Sequence, residues 1–578
     1  MGTPSVVPLA CANWVPGSVI CKEKGKFACG NCNLVLYCGK ECQTAHWVTH
    51  KIDCKSLVSK PSWRPAWDRE GQDPAWAEGA SRRNIHNPFG EHVYVWGNVP
   101  ALDVLRLPDN EGITYDEKIE LLFAASGDLR NVVKTINDLP ATVTQPVHVT
   151  INDREFSVVA RNAILLLFAL NTPNIATADS IDPFDTAEAL THLWYSAFIP
   201  GKVLSSIQDV IKDLISDVCL KIACKDPTTF LGKTWHFPSG RSLRLVLNKE
   251  QWLMLEKMLD ISQDLTYEKA SKIRHAVVLA PERADYRDRW DFKEPTPFTR
   301  IAKHRFREDG LLLPFGHPRA GFDTPNITLF QNSKTWLMDD KLDPLDGWPI
   351  WDVLHRSSPA KEDRYGKSFA YIRDVLKLFL DRLATANVSF ELYCLDAREL
   401  KNSLGWNKYA RIEVSNISDD CHIGCRETLA SLSALLQPPE RNPHATIVTL
   451  FLNAVMEMVK VVGADEMSNA AKILEYLTPN GLATFMKPQG AEMMRIWDAR
   501  TFFFDVDRFF KLYSRHRDFD RISADLGVAE KESNTIVEKW PMRLKLQPGQ
   551  EDAQEEFNVM LGSNFSGMER YVEWKRVV

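Results

Sequence analysis

Seven of the twelve cysteines in this 578-residue chain fall between positions 11 and 54, and the other five are scattered over the remainder. That clustering excludes a disulfide framework for the whole chain and sets the N-terminal segment apart chemically. The candidate donors, in order, are Cys11, Cys21, Cys29, Cys32, Cys38, Cys42, His50 and Cys54. Cys29 and Cys32 make a tight knuckle. Cys38 with Cys42, and His50 with Cys54, are one helical turn apart, so a helix would aim each pair at one ion. Zinc accepts thiolate and imidazole in a closed tetrahedron, and eight donors fill two such sites with none left over. Closure points to a structural role, because a catalytic zinc keeps one position open for water. A segment of about 45 residues cannot build a sufficient core. Metal would supply the folding free energy, about 10–16 kcal/mol per site in zinc-finger peptides.

The run Cys29-x2-Cys32-x5-Cys38-x3-Cys42-x7-His50-x3-Cys54, with Tyr37 before Cys38, Gln43 after Cys42, Trp47, and Lys51 after His50, resembles a MYND zinc finger. Fingers of that family are cross-braced. The resemblance implies one zinc on Cys11, Cys21, Cys38 and Cys42, and a second on Cys29, Cys32, His50 and Cys54. It favours His50 over His46, the competing imidazole. The chain departs from the family at the start: Ser18 stands where the opening C-x2-C would place its first cysteine, so Cys11 is recruited across a nine-residue loop. MYND fingers bind short peptide segments, often proline-containing, and do no chemistry themselves. Some accompany SET-domain lysine methyltransferases, but no Asn-His-Ser-Cys-type SET segment occurs in this chain.

Composition restricts the rest. Apolar residues at 44% and charged residues at 25% lie in the globular range, and the net charge of −6 gives no reason to expect nucleic acid or an anionic membrane. The most apolar stretch, Phe156 to Leu170, carries Arg161 and Asn162 and is too short to span a bilayer. With no secretory signal visible, a reducing intracellular compartment is expected, cytoplasm ahead of nucleus. Trp63, Trp67 and Trp76 alternate with prolines in a linker at 61–90; their rings would pack on a neighbouring domain or, less simply, form a peptide groove.

Ile119 to Ala125 is an apolar run stopped by Ser126-Gly127-Asp128, and Leu129 to Leu139 has helical spacing. Val147 to Ile151 reads as a second strand ending at Asn152-Asp153, followed by a helix over Phe156 to Leu170. Such a β-α-β-α unit favours a parallel, Rossmann-like sheet. Strands are also expected at Phe390 to Leu395, Arg411 to Ile417 and Ala445 to Leu452. Together these resemble the sheet of an S-adenosylmethionine-dependent methyltransferase. Antiparallel edge strands are expected around Met542, Leu544 and Leu546 and over Tyr571 to Val578, and a short strand over Val93 to Val99. A glycine turn after the first strand and acids ending later strands are the chemistry of adenosyl binding, which makes Gly127, Asp153 and Asp396 the candidate cofactor residues. One glycine is too few for a dinucleotide fingerprint. Asp128 reads most simply as a helix N-cap and Arg130 as a solvated first-turn residue.

Trp96-Gly97-Asn98-Val99-Pro100-Ala101, Gly127 to Thr135 and Val158 to Asn162 resemble a domain of unknown function that follows MYND fingers in many fungal proteins. A similar domain opens the animal axonemal dynein-assembly factors. The resemblance implies a methyltransferase-like fold and carries no catalytic residues.

The expected organisation is a finger at 1–60, the linker at 61–90, the first part of the α/β domain at 91–170, a mostly helical insertion at 171–385, and the rest of the α/β domain with C-terminal helices and strands at 386–578. Arginines and aromatics alternate from Arg274 to Glu308, which reads as a mixed-charge surface. Asp339 to Trp351 is an acidic loop without EF-hand spacing. Phe502, Val506, Phe509, Phe510 and Tyr513 share one face of a core helix. Cys219, Cys224 and Cys394 read as core, and Cys421 with Cys425 as ordinary thiols. The leading expectation for function is a non-catalytic adaptor whose finger recruits peptide motifs. An S-adenosylmethionine-dependent methyltransferase and a chaperone-like assembly factor are the alternatives.

Overall fold

The apolar run at 119–123 is buried along its whole length, as a strand covered on both faces must be. It lies at the centre of one mixed sheet. The computed structural model describes residues 9–14, 20–77, 89–171, 185–463, 470–477 and 487–577; Ser18 and Val578 lie outside them. The strands are β1 (Phe27–Ala28), β2 (Leu36–Tyr37), β3 (Ile119–Phe123), β4 (Val147–Asn152), β5 (Phe198–Ile199), β6 (Phe230–His236), β7 (Ser242–Asn248), β8 (Thr324–Pro325), β9 (Val388–Tyr393), β10 (Arg411–Glu413), β11 (Thr446–Phe451), β12 (Val528–Glu530) and β13 (Arg570–Arg576). β1 and β2 form the hairpin of the finger, and among the described residues β5 pairs only with β8. The other nine form one sheet in the order β12-β13-β11-β10-β3-β4-β9-β7-β6.

From β11 to β7 every neighbouring pair is parallel. β13 runs antiparallel between β11 and β12, and β6 closes the opposite edge antiparallel to β7. Chain order leaves β3 in two directions, through β4 and β9 on one side and through β10 and β11 on the other. Such a reversal opens a crevice at the carboxyl ends of the strands, where α/β sheets commonly bind ligands.

Side-chain alternation feeds two cores. Ile119, Leu121 and Phe123 face one, packed by the helices Arg130–Asp138, Phe156–Asn171 and Arg364–Thr385. Leu122 faces the other, with Ile412, Ile447, Val572 and the aromatic side of the helix Val506–His516. That helix buries Val506, Phe509, Phe510 and Tyr513, as its spacing predicts, whereas Phe502 lies before it and packs with Phe557 in a separate cluster.

Several local expectations differ from the structure. Val93 to Val99 runs without a sheet partner, and the segment holding Met542, Leu544 and Leu546 forms no strand, although its side chains pack on Phe557 and neighbouring rings. Residues 171–385 add the hairpin β6–β7 to the sheet edge, so this region is not helical throughout. Cys224 is exposed rather than core. The arginine-rich stretch is no solvated surface: Arg283 pairs with Asp340 at 2.7 Å, Arg289 with Asp498 at 2.6 Å and Arg307 with Asp291 at 2.9 Å. Acids of the 339–351 loop are likewise engaged, Asp343 by the Tyr365 hydroxyl and Asp346 by the Asn564 amide.

Glu413, beside Phe123 at the end of β10, is buried and accepts the Ser415 N–H at 2.7 Å. Burial pushes its carboxyl from 4.5 up to about 7. The folded chain therefore keeps a proton that the unfolded chain releases. The stability from this group is complete below 4.5 and is lost as pH rises to about 7. Glu413→Gln should raise the melting temperature at pH 8 but not at pH 4. The gain should approach a few kcal/mol, since each tenfold change in proton affinity is worth about 1.4 kcal/mol. Thermal unfolding at the two pH values checks this.

Candidate functional site

The finger gathers its eight donors into two quartets. Cys11, Cys21, Cys38 and Cys42 form one, and Cys29, Cys32, His50 and Cys54 the other; within each, the donor atoms lie within 4.8 Å of one another. Zinc–sulfur bonds of about 2.3 Å in a tetrahedron place sulfurs about 3.8 Å apart. Cys21–Cys38 and Cys29–Cys54 are both 3.8 Å apart, Cys38–Cys42 is 3.4 Å, and His50 Nε2 is 3.4 Å from Cys32 Sγ. The chain thus carries two Cys/His clusters suited to two zinc ions. Hydrogen bonding to the Cys42 sulfur, then burial, pushes the Cys38 thiol up to about 12, and Cys29 together with burial raises Cys32. A dication reverses that preference by binding the thiolates.

Surrounding groups fit the same reading. Asn31 Nδ2 donates to Cys54 Sγ at 3.2 Å, and the Cys38 N–H donates to Cys11 Sγ at 3.4 Å. His46 is turned away: its Nδ1 meets the Tyr37 hydroxyl at 3.0 Å, while its ring stacks on His50. Cys421 and Cys425 join no such cluster among the described residues.

One side of the finger is fastened to the large domain. Trp14 Nε1 donates to the Gly316 carbonyl at 2.9 Å, the Glu362 N–H donates to the Asn33 carbonyl at 3.2 Å, and Arg305 pairs with Asp53 at 2.8 Å. A Cβ at Gly316 would lie 2.9 Å from Ala12 Cβ, so only glycine allows this approach. The other side is open: Val48 and Ile52, one turn apart on the helix Lys40–Cys54, are each 70% exposed.

At the carboxyl edge of the sheet, Gly127 and Asp153 do come together, but with each other. Asp153 Oδ2 accepts the Gly127 N–H at 2.9 Å and its Oδ1 accepts the Glu155 N–H at 3.0 Å; burial raises its carboxyl. Asn152 ties the ends of β3 and β9 by donating to Ala124 O and Leu395 O, both at 2.9 Å. Asp396 caps the next turn and binds Arg398 at 2.7 Å, which lowers its carboxyl to about 2.

Arg130 is buried, not solvated, and Asp128 spends both oxygens. Oδ1 binds Arg130 Nη1 at 2.7 Å and Oδ2 accepts the Gly97 N–H at 2.9 Å. Arg130 Nε donates to the Val99 carbonyl at 2.9 Å. Burial alone would lower the Arg130 guanidinium, but Asp128 more than offsets it and holds it above its ordinary value. The same strap continues with the Leu102 N–H on Asn131 Oδ1 and the Val104 N–H on Thr135, while Trp96 Nε1 reaches the Trp194 carbonyl at 2.7 Å. The sequence singles out Trp96 to Ala101 for its resemblance but does not reveal its place against Asp128 and Arg130. The only local signal is Gly97, where a Cβ would lie 1.6 Å from Arg130 Nη1.

Comparison with known proteins agrees with these two regions. The MYND finger model matches residues 19–54, and a domain of unknown function, DUF4470, matches residues 95–199. Dynein axonemal assembly factor 3 of Danio rerio is 34% identical over 79 residues, 14% of this chain and 16% of that protein. A SET and MYND domain-containing protein of Dictyostelium discoideum is 50% identical over 42 residues, 7% of this chain and 8% of its own. N-lysine methyltransferase SMYD2-B of Danio rerio is 35% identical over 46 residues, 8% and 11%. The matched portions are thus a small part of each relative's length. No solved structure gives a significant match. Among the described residues no helix is long and apolar enough to cross a membrane.

Metal analysis should give about two zinc ions per chain, and Cys32→Ala about one. A wild-type value near one would break the two-site assignment. Gly97→Ala should separate Arg130 from Asp128 and cost about 3 kcal/mol or more, read as a fall in melting temperature.

Proposed function

We propose that this chain is an interaction protein, with a zinc-built finger that engages partner proteins and a large domain that acts as a non-catalytic scaffold of methyltransferase-like fold. The order of the parallel strands, the reversal beside β3 and the antiparallel β13 all support that fold. The observation that carries the scaffold reading is the strap at Gly97–Val99. It is bonded to Asp128 and Arg130 in the turn that follows β3, and Asp153 is bonded to Gly127. Both carboxylates are engaged by groups of their own chain, which supports a structural use of them.

The exposed Val48–Ile52 face supports contact with short peptide segments, proline-containing ones among them, because the opposite side of the finger is committed to the large domain. Partner proteins in the cytoplasm, rather than membrane or nucleic acid, suit this surface and the net charge of −6. Kinship of 79 residues with an assembly factor is compatible with scaffolding and favours a role in building complexes.

Calorimetry with S-adenosylmethionine and with S-adenosylhomocysteine should be silent. Micromolar binding abolished by Asp153→Ala would overturn the scaffold reading in favour of a methyltransferase. For the finger, Val48→Asp with Ile52→Asp should weaken binding of proline-containing peptides by about tenfold or more and leave both zinc ions in place. Equal binding by the wild-type and variant proteins would place recruitment elsewhere.

A further inference from the structure

An open groove of about 530 Å³ lies where the linker, the insertion and the C-terminal region meet. That volume is in the range of about 300–1,000 Å³ typical of ligand sites. Trp63 comes from the linker, Phe292 and Arg300 from the insertion, and Tyr476 and Arg495 from the C-terminal region. Trp67 and Trp76, the other two linker tryptophans, are buried against each other and Tyr286. Only Trp63 of the three lines the groove.

Its charges do not balance. Arg64 has carboxylates on both sides, Asp68 at 3.3 Å and Glu492. Arg300 donates only to carbonyls, to Glu294 O at 2.9 Å and to Val58 O at 3.3 Å. Arg495 has no carboxylate within ion-pair distance among the described residues, and its Nε is buried without an acceptor. Burial, then the nearby Arg300, lowers the Arg495 guanidinium, and the more distant Glu294 and Glu492 only partly offset this. Arg300 is buried and Arg495 partly so, and Glu492, the one carboxylate among the lining residues, is engaged by Arg64, so the lining holds two more guanidinium groups than carboxylates. Such an excess is costly unless an anion joins it.

The remaining lining selects the anion. Arg300 already covers the Trp63 ring at 5.2 Å and Arg64 the Phe292 ring at 5.8 Å, while Tyr476 stacks on Phe557 at 4.4 Å. Each ring therefore has a face occupied, which makes a poor stacking platform for nucleobases. Gln554 and Asn558 sit one turn apart on the helix Ala553–Gly562, joined by a hydrogen bond from Gln554 Nε2 to Asn558 Oδ1 at 3.0 Å. That bond leaves an acceptor on Gln554 and donors on Asn558, which match the N–H and C=O of a peptide backbone.

We infer that this groove is a second docking site, distinct from the exposed helix face of the finger, for an extended acidic segment of a partner protein. Its carboxylates pair with Arg300 and Arg495, and its backbone meets Gln554 and Asn558. Guanidinium–carboxylate forks supply both strength and orientation. The inference goes beyond the finger's role and does not depend on it.

The test uses the full zinc-loaded chain and fluorescence anisotropy. Three probes are compared: a labelled heptapeptide of alternating glutamate and leucine, the same peptide with glutamine for glutamate, and an eight-residue oligothymidylate. The glutamate peptide should bind about tenfold more tightly than the glutamine peptide, and high salt should erase the difference. Arg495→Gln should remove this preference without lowering the melting temperature, since among the described residues nothing hydrogen-bonds or ion-pairs with Arg495. Val48→Asp with Ile52→Asp should leave it intact, which separates this site from the finger. Equal binding of the two peptides, an Arg495→Gln variant that binds like wild type, or binding of the oligonucleotide in place of the peptide would overturn the proposal.

Discussion

The Asp128–Arg130 pair decides what the carboxyl edge of the sheet can be. A buried ion pair survives only when its remaining donors and acceptors are also satisfied. Here the backbone of Gly97 and Val99 helps to satisfy them, and the requirement draws that segment onto the turn after β3. The strap in turn fixes Trp96 and the first turns of the following helix. The turn that follows β3 is thereby tied to an earlier segment of the chain. Gly127 and Asp153, the candidate cofactor residues, are bonded to each other at the same edge.

Metal does comparable work at the other end. The finger has little apolar core of its own, yet Cys11, Cys29, Cys32, Leu34 and Val35 belong to the same buried cluster as the helices of the large domain. Zinc would fix the shape of the finger, and that shape brings Trp14, Asn33 and Asp53 to their partners. The finger is thus seated on the large domain, with one face committed and one face free.

How much of this was legible in the sequence follows from how local each cause is. Eight donors could be read because ligand spacing is a property of neighbouring residues, and the resemblance to the MYND pattern separated His50 from His46. β3, β4, β9 and β11 announced themselves as short apolar runs between turns. β6 did not: alternate residues of Phe230–His236 are exposed, Gly232 interrupts them, and the strand exists only because β7 pairs with it. Arg130 read as solvated because nothing near it in sequence reveals that a carbonyl some 30 residues earlier accepts its Nε. Arg283 and Arg289 misled for the same reason, since Asp340 and Asp498 lie 57 and 209 residues away. Long-range charge pairing leaves no periodic trace.

The arrangement of the sheet also governs the order in which the molecule can form. β4 and β9 are neighbours, yet about 235 residues separate Asn152 from Val388. During synthesis the finger emerges before the large domain, and its metal donors are local. The surfaces it will sit on, near Arg305, Gly316 and Glu362, emerge some 250 to 350 residues later. The sheet cannot be completed until β13, at the far end of the chain, pairs with β11. Contacts of such separation fold slowly and leave apolar edges uncovered meanwhile. This chain is therefore one whose maturation depends on early metal capture and on protection of a half-built sheet until its last strand arrives.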